Sequence, residues 1–139
     1  MAKGTKKKDK HYPSMLVFDE NLEGVGDAFA DANMNIPEVM VAVKGAKDHA
    51  IATDLDRRTV FFTSDEAWLT RQPPYNHGGI IFLDTGNLPL LDKVKIIASF
   101  IWAFHRKYKS LDLLGNRRFR LTKTTLYEVP LEGTEIKLW

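Results

Sequence analysis

Short apolar runs alternate with segments of helical periodicity along most of this chain. Short continuous apolar runs predict strands, and apolar residues spaced three or four apart predict helices. The predicted strands are Met15–Phe18, Ile36–Val43, Thr59–Phe62 and Ile80–Asp84. The predicted helices are Leu22–Ala32, with Asn21 as its cap, Asp48–Arg58 and Leu90–Lys109. The alternation of strand and helix indicates an α/β fold.

The strands are continuously apolar, which is typical of a parallel sheet that is covered on both faces. We therefore predict a three-layer α/β/α sandwich around a central, mostly parallel sheet. The end of the chain changes character, because "RRFRLTKTTLYEVP" and "TEIKLW" predict two or three antiparallel strands. The chain shows no internal repeat, so residues 13–139 are expected to form a single domain.

Composition narrows the classes of protein that this chain can belong to. Residues 1–12 are rich in Lys and lack apolar periodicity, so they predict a basic, disordered tail that solubilises the chain or loosely attracts phosphate. With 44% hydrophobic residues the remainder can bury a core, and the absence of Cys excludes disulfides, thiolate metal sites and Cys-based catalysis. Neither a signal peptide nor a membrane-spanning segment is recognisable, so we expect a soluble, cytoplasmic protein without a membrane partner.

The net charge of +2 hides an uneven distribution of charge. Between Asp19 and Glu66, eleven acidic residues stand against four basic ones, whereas between Lys93 and Trp139 ten basic residues stand against four acidic ones. Such a division arises by chance, or it reflects an acidic site beside a surface that attracts anions.

Three acidic residues are predicted to lie near one edge of the sheet. Asp19 follows the first strand and Asp65 follows the third, and α/β proteins bind ligands at the carboxyl ends of parallel strands. Asp48 begins the helix that leads into the third strand, so its place depends on the tertiary layout. Asp48 and Asp65 are equally well explained as helix caps, whereas a strand end needs no carboxylate such as Asp19. Converging carboxylates repel one another unless a cation compensates, and Mg²⁺ prefers such oxygen ligands.

In order and spacing, these segments resemble the PIN-like nuclease superfamily, specifically its small branch that opens with a DENL motif. That motif is present at Asp19–Leu22, directly after an apolar strand, and the resemblance covers roughly residues 15–110. The further landmarks are an acid followed three residues later by an aliphatic residue (Asp48 and Ile51), a strand that ends in Thr-x-Asp (Thr63–Asp65), and a glycine-led apolar strand ("GGIIFLD"). The family commonly continues Thr-x-Asp-x-Asp-Phe, but Ala67 and Trp68 occupy the last two positions here.

The resemblance implies a metal-dependent endoribonuclease that hydrolyses RNA phosphodiesters. Asp19, Asp48 and Asp65 would be its catalytic residues and its ligands for Mg²⁺ or Mn²⁺. The candidates for residues that position these ligands are Glu20, Thr63, Ser64 and Glu66. Cations interleaved with aromatic residues in "RKYK" and "RRFR" suit phosphate contacts and base stacking, although a solvated basic edge strand explains "RRFR" equally well. The RNA-binding candidates are Arg106, Lys107, Arg117, Arg118 and Arg120.

Ala67 stands where the family has an acid, so Glu66 substitutes for it, three acids suffice, or catalysis is lost. The alternative function is therefore a catalytically inactive PIN-like module that binds nucleic acid or protein. A phosphohydrolase with Asp19 as nucleophile is a weaker alternative, because "VFDEN" has Asn21 where haloacid dehalogenases need a second Asp. Small members of the branch resemble toxins of toxin–antitoxin pairs, so an antitoxin is a candidate partner. The oligomeric state stays open, a homodimer included, and the four His show no ligand spacing and receive no role.

Overall fold

The structure is a computed structural model that describes residues 15–32, 40–41, 57, 59–70 and 76–139. Among these residues, seven strands form one sheet in the order β2-β1-β3-β4-β5-β6-β7. The strands are β1 (Met15–Phe18), β2 (Met40–Val41), β3 (Thr59–Thr63), β4 (Ile80–Leu83), β5 (Arg118–Leu121), β6 (Leu126–Glu128) and β7 (Ile136–Lys137). The strands predicted from the four apolar runs are confirmed; of the predicted strand Ile36–Val43, only Met40 and Val41 lie within the described residues. The predicted tail and all of the predicted helix Asp48–Arg58 except Arg57 lie outside the described residues.

The described helices include two α-helices, α1 (Glu23–Asp31) and α2 (Leu90–Tyr108). Both fall where helical periodicity predicts them. Lys109 follows the last residue of α2, and its left-handed φ of 68° stops the helix. Shorter 3₁₀-helices span Glu20–Leu22, Glu66–Leu69 and Leu111–Leu114. None of the described helices has the length and apolar character that a bilayer span requires.

Strand direction follows from how the chain returns to the sheet. The first five strands are parallel to one another, β6 is antiparallel to β5, and β7 is antiparallel to β6. The antiparallel strands predicted at the end of the chain are therefore confirmed. β5 also pairs in parallel with β4, which the sequence did not indicate, because α2 and the residues after it carry the chain back to the amino ends of the strands.

The main core lies on the face of the sheet that both described helices cover. Phe18 stacks on Phe62 with ring centroids 5.2 Å apart, and Phe104 of α2 meets Phe119 of β5 edge to face at 6.1 Å. All four rings are essentially inaccessible to solvent. Burying a large apolar side chain stabilises a fold by about 1.5–3 kcal/mol relative to leaving it exposed. This packing fixes the ends of β1 and β3 relative to each other.

The second face of the sheet carries a smaller buried cluster. Val17, Phe61 and Ile80 come from the strands, and Trp68 comes from the 3₁₀-helix that follows β3. Their exposed fractions are at most 7%. Apolar residues are thus buried on both faces, as the continuous apolar runs predict.

Candidate functional site

The strand order changes direction at β1, because β2 lies on one side of β1 and β3 with the later strands lies on the other. In parallel α/β sheets a crevice forms outside the carboxyl ends of the strands at such a point, and ligands bind there. Asp19 directly follows β1, and its backbone N–H donates a hydrogen bond of 2.9 Å to the carbonyl of Phe62 on β3. The residue is fully buried. A buried carboxylate therefore lies where this fold class places its ligands.

Thr63, the last residue of β3, connects two of the predicted acids. Its hydroxyl donates to Oδ2 of Asp19 at 2.8 Å and accepts from the backbone N–H of Asp65 at 3.0 Å. Thr63 and Asp19 are both fully buried, so this hydrogen bond holds the carboxylate in one orientation. One hydroxyl group thus contacts both the carboxylate of Asp19 and the backbone N–H of Asp65.

The prediction that Asn21 caps the first helix is wrong. Leu22 occupies the N-cap position of α1, and no side chain caps that end. The Nδ2 of Asn21 donates instead to Oδ2 of Asp19 at 3.1 Å, and its Oδ1 accepts from the backbone N–H of Ser64 at 3.1 Å. Asn21 therefore bridges the ends of β1 and β3 and supplies a second donor to the Asp19 carboxylate.

Asp65 caps the 3₁₀-helix Glu66–Leu69, which confirms the capping explanation of this residue. Its Oδ1 accepts from the backbone N–H of Ala67 at 3.0 Å, and its Oδ2 receives no hydrogen bond from a described residue. Trp68 anchors the helix, since its buried ring meets Phe61 edge to face with centroids 4.8 Å apart. The cap fixes the half-buried Asp65 and leaves one of its oxygens for a ligand.

The remaining predicted acids contribute less to the described site. Asp48 lies outside the described residues, and so does the side chain of Glu20. Ser64 and Glu66 are exposed, and Glu66 lines a cavity of about 410 Å³ together with Ala67. Within the part of the chain that the structure describes, no three His, Asp or Glu side chains come together in a way that would hold a metal ion. Two of the three predicted metal ligands are therefore described, and they follow the carboxyl ends of the neighbouring strands β1 and β3.

The donors described at this crevice fit a hard divalent cation. Both are carboxylates, and Mg²⁺ and Mn²⁺ prefer oxygen ligands. Thr63 and Asn21 hold Asp19 in place through hydrogen bonds, as outer partners do for carboxylates that bind metals. Carboxylates at the ends of neighbouring strands favour a cation between them.

Two of the predicted RNA-binding arginines are already paired with carboxylates. Arg117 donates two hydrogen bonds to Glu128, at 2.8 and 3.0 Å, and these raise the pKa of Arg117. Arg120 pairs with Glu135 at 2.7 Å and with Asp84 at 3.0 Å. A phosphate would have to compete with these carboxylates for either guanidinium. The RNA-binding role of both residues stays a prediction.

The other predicted RNA-binding residues differ from one another in exposure. Arg118 is only 5% exposed, so its side chain belongs to the interior of the protein. Arg106 and Lys107 are exposed in the last turn of α2, and the Nζ of Lys107 donates to the carbonyl of Leu138 at 3.3 Å. Arg106 and Lys107 are thus accessible to a phosphate, whereas Arg118 is not.

A second polar cluster lies at the opposite, amino edge of the sheet. His77 is 4% exposed, and its Nδ1 accepts from the backbone N–H of Gly79 at 3.0 Å. Burial, followed by the charges of Arg57 and Arg118, lowers the pKa of His77 to about 4. Arg57 pairs with Asp112 at 3.0 Å. His77 is therefore neutral near neutral pH, with its proton on Nε2.

One basic surface of the structure is not marked by any of the predicted site residues. Lys95 and Lys123 line a cavity of about 250 Å³ between α2 and the turn that joins β5 to β6, which we call the α2 groove. The two residues are far apart in sequence, so no local motif marks them. The one sequence feature that indicates this surface is "TKTT" between two apolar strands, because it predicts a hairpin turn with an exposed Lys.

Comparison of the chain with models of protein families gave no match, and comparisons with curated proteins and with solved structures gave no significant match. The resemblance to the PIN-like superfamily therefore rests on the order and spacing of the motifs. The geometry at the ends of β1 and β3 is independent of that resemblance.

Proposed function

We propose that this chain is a metal-dependent endoribonuclease of the PIN-like superfamily. The observation that carries the proposal is the buried carboxylate of Asp19 at the change in strand order, joined through Thr63 to Asp65. Burying a charged group is unfavourable unless partners compensate, and hydrogen bonds from Thr63 and Asn21 compensate here. Two of the three acids that the resemblance names as metal ligands, Asp19 and Asp65, follow neighbouring strands, which supports the proposal.

The proposal includes the three-layer α/β/α arrangement of that superfamily. α1 and α2 form the layer on one face of the sheet. On the other face, Val17, Phe61 and Ile80 are buried, and Trp68 packs against them. A buried apolar face supports a covering layer, since an exposed one would leave a large apolar patch in water.

The residues at the ends of β1 and β3 would have two roles, to bind the metal and to position its ligands. Asp19, Asp65 and Asp48 would hold Mg²⁺ or Mn²⁺, which when bound activates water and neutralises charge on the phosphate. In the hydrolysis, the oxygen of water would bond to phosphorus and release one proton, the bond from phosphorus to the leaving oxygen would break, and the leaving oxygen would take up one proton. Hydrogen bonds from Thr63 and Asn21 hold the Asp19 carboxylate in place before the reaction, so it is preorganised for catalysis.

Asp65→Asn should lower the rate of Mn²⁺-dependent cleavage of single-stranded RNA by about a hundredfold or more. Loss of a ligand charge removes several kcal/mol of stabilisation, and about 1.4 kcal/mol corresponds to a factor of ten. Asn still caps the 3₁₀-helix through Oδ1, so the fold is kept. The matched control is Asp31→Asn, which removes an exposed carboxylate from the last turn of α1. Equal rates for both variants, or wild-type cleavage that persists in EDTA, would contradict the proposal.

A second candidate function is a catalytically inactive module of the same fold that binds RNA or protein. Ala67 favours it, because this exposed residue offers the site only a backbone N–H where the family has an acid. Such a module binds RNA in Mn²⁺ without cleaving it, and Ala67→Asp would then give it activity. If the chain is instead an active toxin, the partner expected is an antitoxin that covers Asp19 and Asp65.

A further inference from the structure

The α2 groove combines an apolar wall with a polar rim. Phe100 and Leu121 form the buried part of the wall, and the half-buried Trp139 lies beside them. The rim carries Lys95 and Lys123. Binding sites for small organic molecules are mostly apolar with a few placed polar groups, and nucleotides have both an apolar base and a charged phosphate.

Lys95 and Lys123 differ from two arginines of this half of the chain in how they pair with the described acidic residues. Neither forms an ion pair with a carboxylate of a described residue, whereas Arg117 and Arg120 both do. Asp92 lines an adjoining cavity with these two lysines but forms no ion pair with either. The positive charge of the groove is therefore available to an anion from outside the protein.

The turn that carries Lys123 is ordered by its own threonines. The hydroxyl of Thr122 accepts from the backbone N–H groups of Thr124 and Thr125, at 3.3 and 2.9 Å. The backbone N–H of Thr122 donates to the carbonyl of Thr125 at 2.9 Å. These bonds hold Lys123 at the tip of a fixed turn, so little backbone entropy is lost when it binds a ligand.

The groove lies at the same edge of the sheet as the acidic crevice. Thr122 follows the carboxyl end of β5, and Asp19 follows the carboxyl end of β1. In the strand order, β3 and β4 lie between these two strands. Three spacings of about 4.8 Å separate β1 from β5, which gives about 14 Å along the edge. A single strand of RNA can span that distance within a few nucleotides.

We propose that the α2 groove binds one nucleotide of the RNA substrate, with its phosphate on Lys95 and Lys123 and its base against Trp139. This inference rests on the proposed ribonuclease function, for which it supplies a substrate-binding site outside the acidic crevice. Aromatic side chains stack with any base, so the groove would bind single-stranded RNA with little sequence preference. The bases of double-stranded RNA would not reach the groove, because paired bases are stacked inside the helix.

Lys95→Gln combined with Lys123→Gln should weaken binding of a short oligouridylate by roughly tenfold or more at low salt. The slope of log affinity against log salt should fall by about 1.4, since each phosphate contact on a single strand contributes about 0.7. Binding is measured in EDTA with Asp19→Asn in every protein, so that cleavage cannot interfere. The control, Lys137→Gln, removes a positive charge from an exposed site outside the groove and outside the predicted RNA-binding segments, and it should leave the slope unchanged.

Titration with uridine monophosphate tests the position of the base. Tryptophan fluorescence should be quenched in the wild type and in Trp102→Phe, and the quenching should disappear in Trp139→Phe. Quenching that disappears in Trp102→Phe would overturn the nucleotide site. Polyglutamate that displaces oligouridylate as effectively as polyuridylate would overturn it too, because the groove would then bind any polyanion. If the wild type cleaves RNA and the Lys95→Gln, Lys123→Gln variant binds oligouridylate normally, the nucleotide site in the groove is rejected and the proposed function is kept. Wild-type protein that binds RNA through the groove but never cleaves it overturns the proposed function and supports the groove.

Discussion

Replacing Asp19 by Asn is expected to abolish metal-dependent RNA cleavage while leaving the fold intact. Asn has nearly the shape of Asp, and its Oδ1 can still accept the hydrogen bond that Thr63 donates to Asp19. What is lost is the negative charge that would hold the cation. We expect the cleavage rate to fall by about a hundredfold or more, because the cation supplies several kcal/mol of transition-state stabilisation.

Melting curves of the same variant separate a metal ligand from a structural acid. In EDTA, Asp19→Asn should be as stable as the wild type or more so, by about 1 kcal/mol, because one of two like charges is removed. Mg²⁺ at about a hundred times its Kd should stabilise the wild type by about 2.7 kcal/mol and the variant by less. A variant that melts several degrees lower in EDTA, beside a wild type that is indifferent to Mg²⁺, would show that Asp19 is structural.

His77 should make the wild type lose about 3 kcal/mol of stability as the pH falls from neutral to about 4. Burial and the nearby Arg57 and Arg118 lower the pKa of His77 to about 4, whereas its ordinary value is 6.5. Between these values the unfolded chain takes up a proton that the folded protein does not, so stability falls as the pH falls. Above 6.5 both states are neutral and the full stability is present.

The contribution of His77 can be measured as a difference between two proteins. His77→Asn keeps an acceptor for the N–H of Gly79 but cannot take up a proton in this range. From about pH 7 to about pH 5, the free energy of unfolding of the wild type should fall by about 2 kcal/mol more than that of the variant. Parallel pH profiles for wild type and His77→Asn would contradict the assignment.

The parts of the site that sequence predicts are those set by local pattern. Continuous apolar runs mark β1 and β3, and parallel strands bring their carboxyl ends to one edge, so Asp19 and Asp65 are expected there. Thr63 is also predictable, because it closes β3 two residues before Asp65. The periodicity of α2 likewise gives its position almost to the residue, since a long amphipathic pattern is a strong signal.

Other features depend on partners that are remote in sequence. Asn21 has the residue type of a helix cap, but its amide binds Asp19 and Ser64, an option that local propensity does not weigh. The charge of "RRFR" predicts an anion surface, but Glu135 is distant in sequence and pairs with Arg120 only in the folded chain. A count of charges cannot tell paired cations from unpaired ones. Only tertiary contacts distinguish them.

Binding of Mn²⁺ tests most directly the claim that the crevice between β1 and β3 holds a divalent cation. Electron paramagnetic resonance of free Mn²⁺ measures how much ion each protein removes from solution, whether or not RNA is cleaved. The account predicts saturable binding to the wild type and to the control Asp31→Asn, and much weaker binding to Asp19→Asn. Equal Mn²⁺ binding by all three proteins, or none by the wild type, would contradict it.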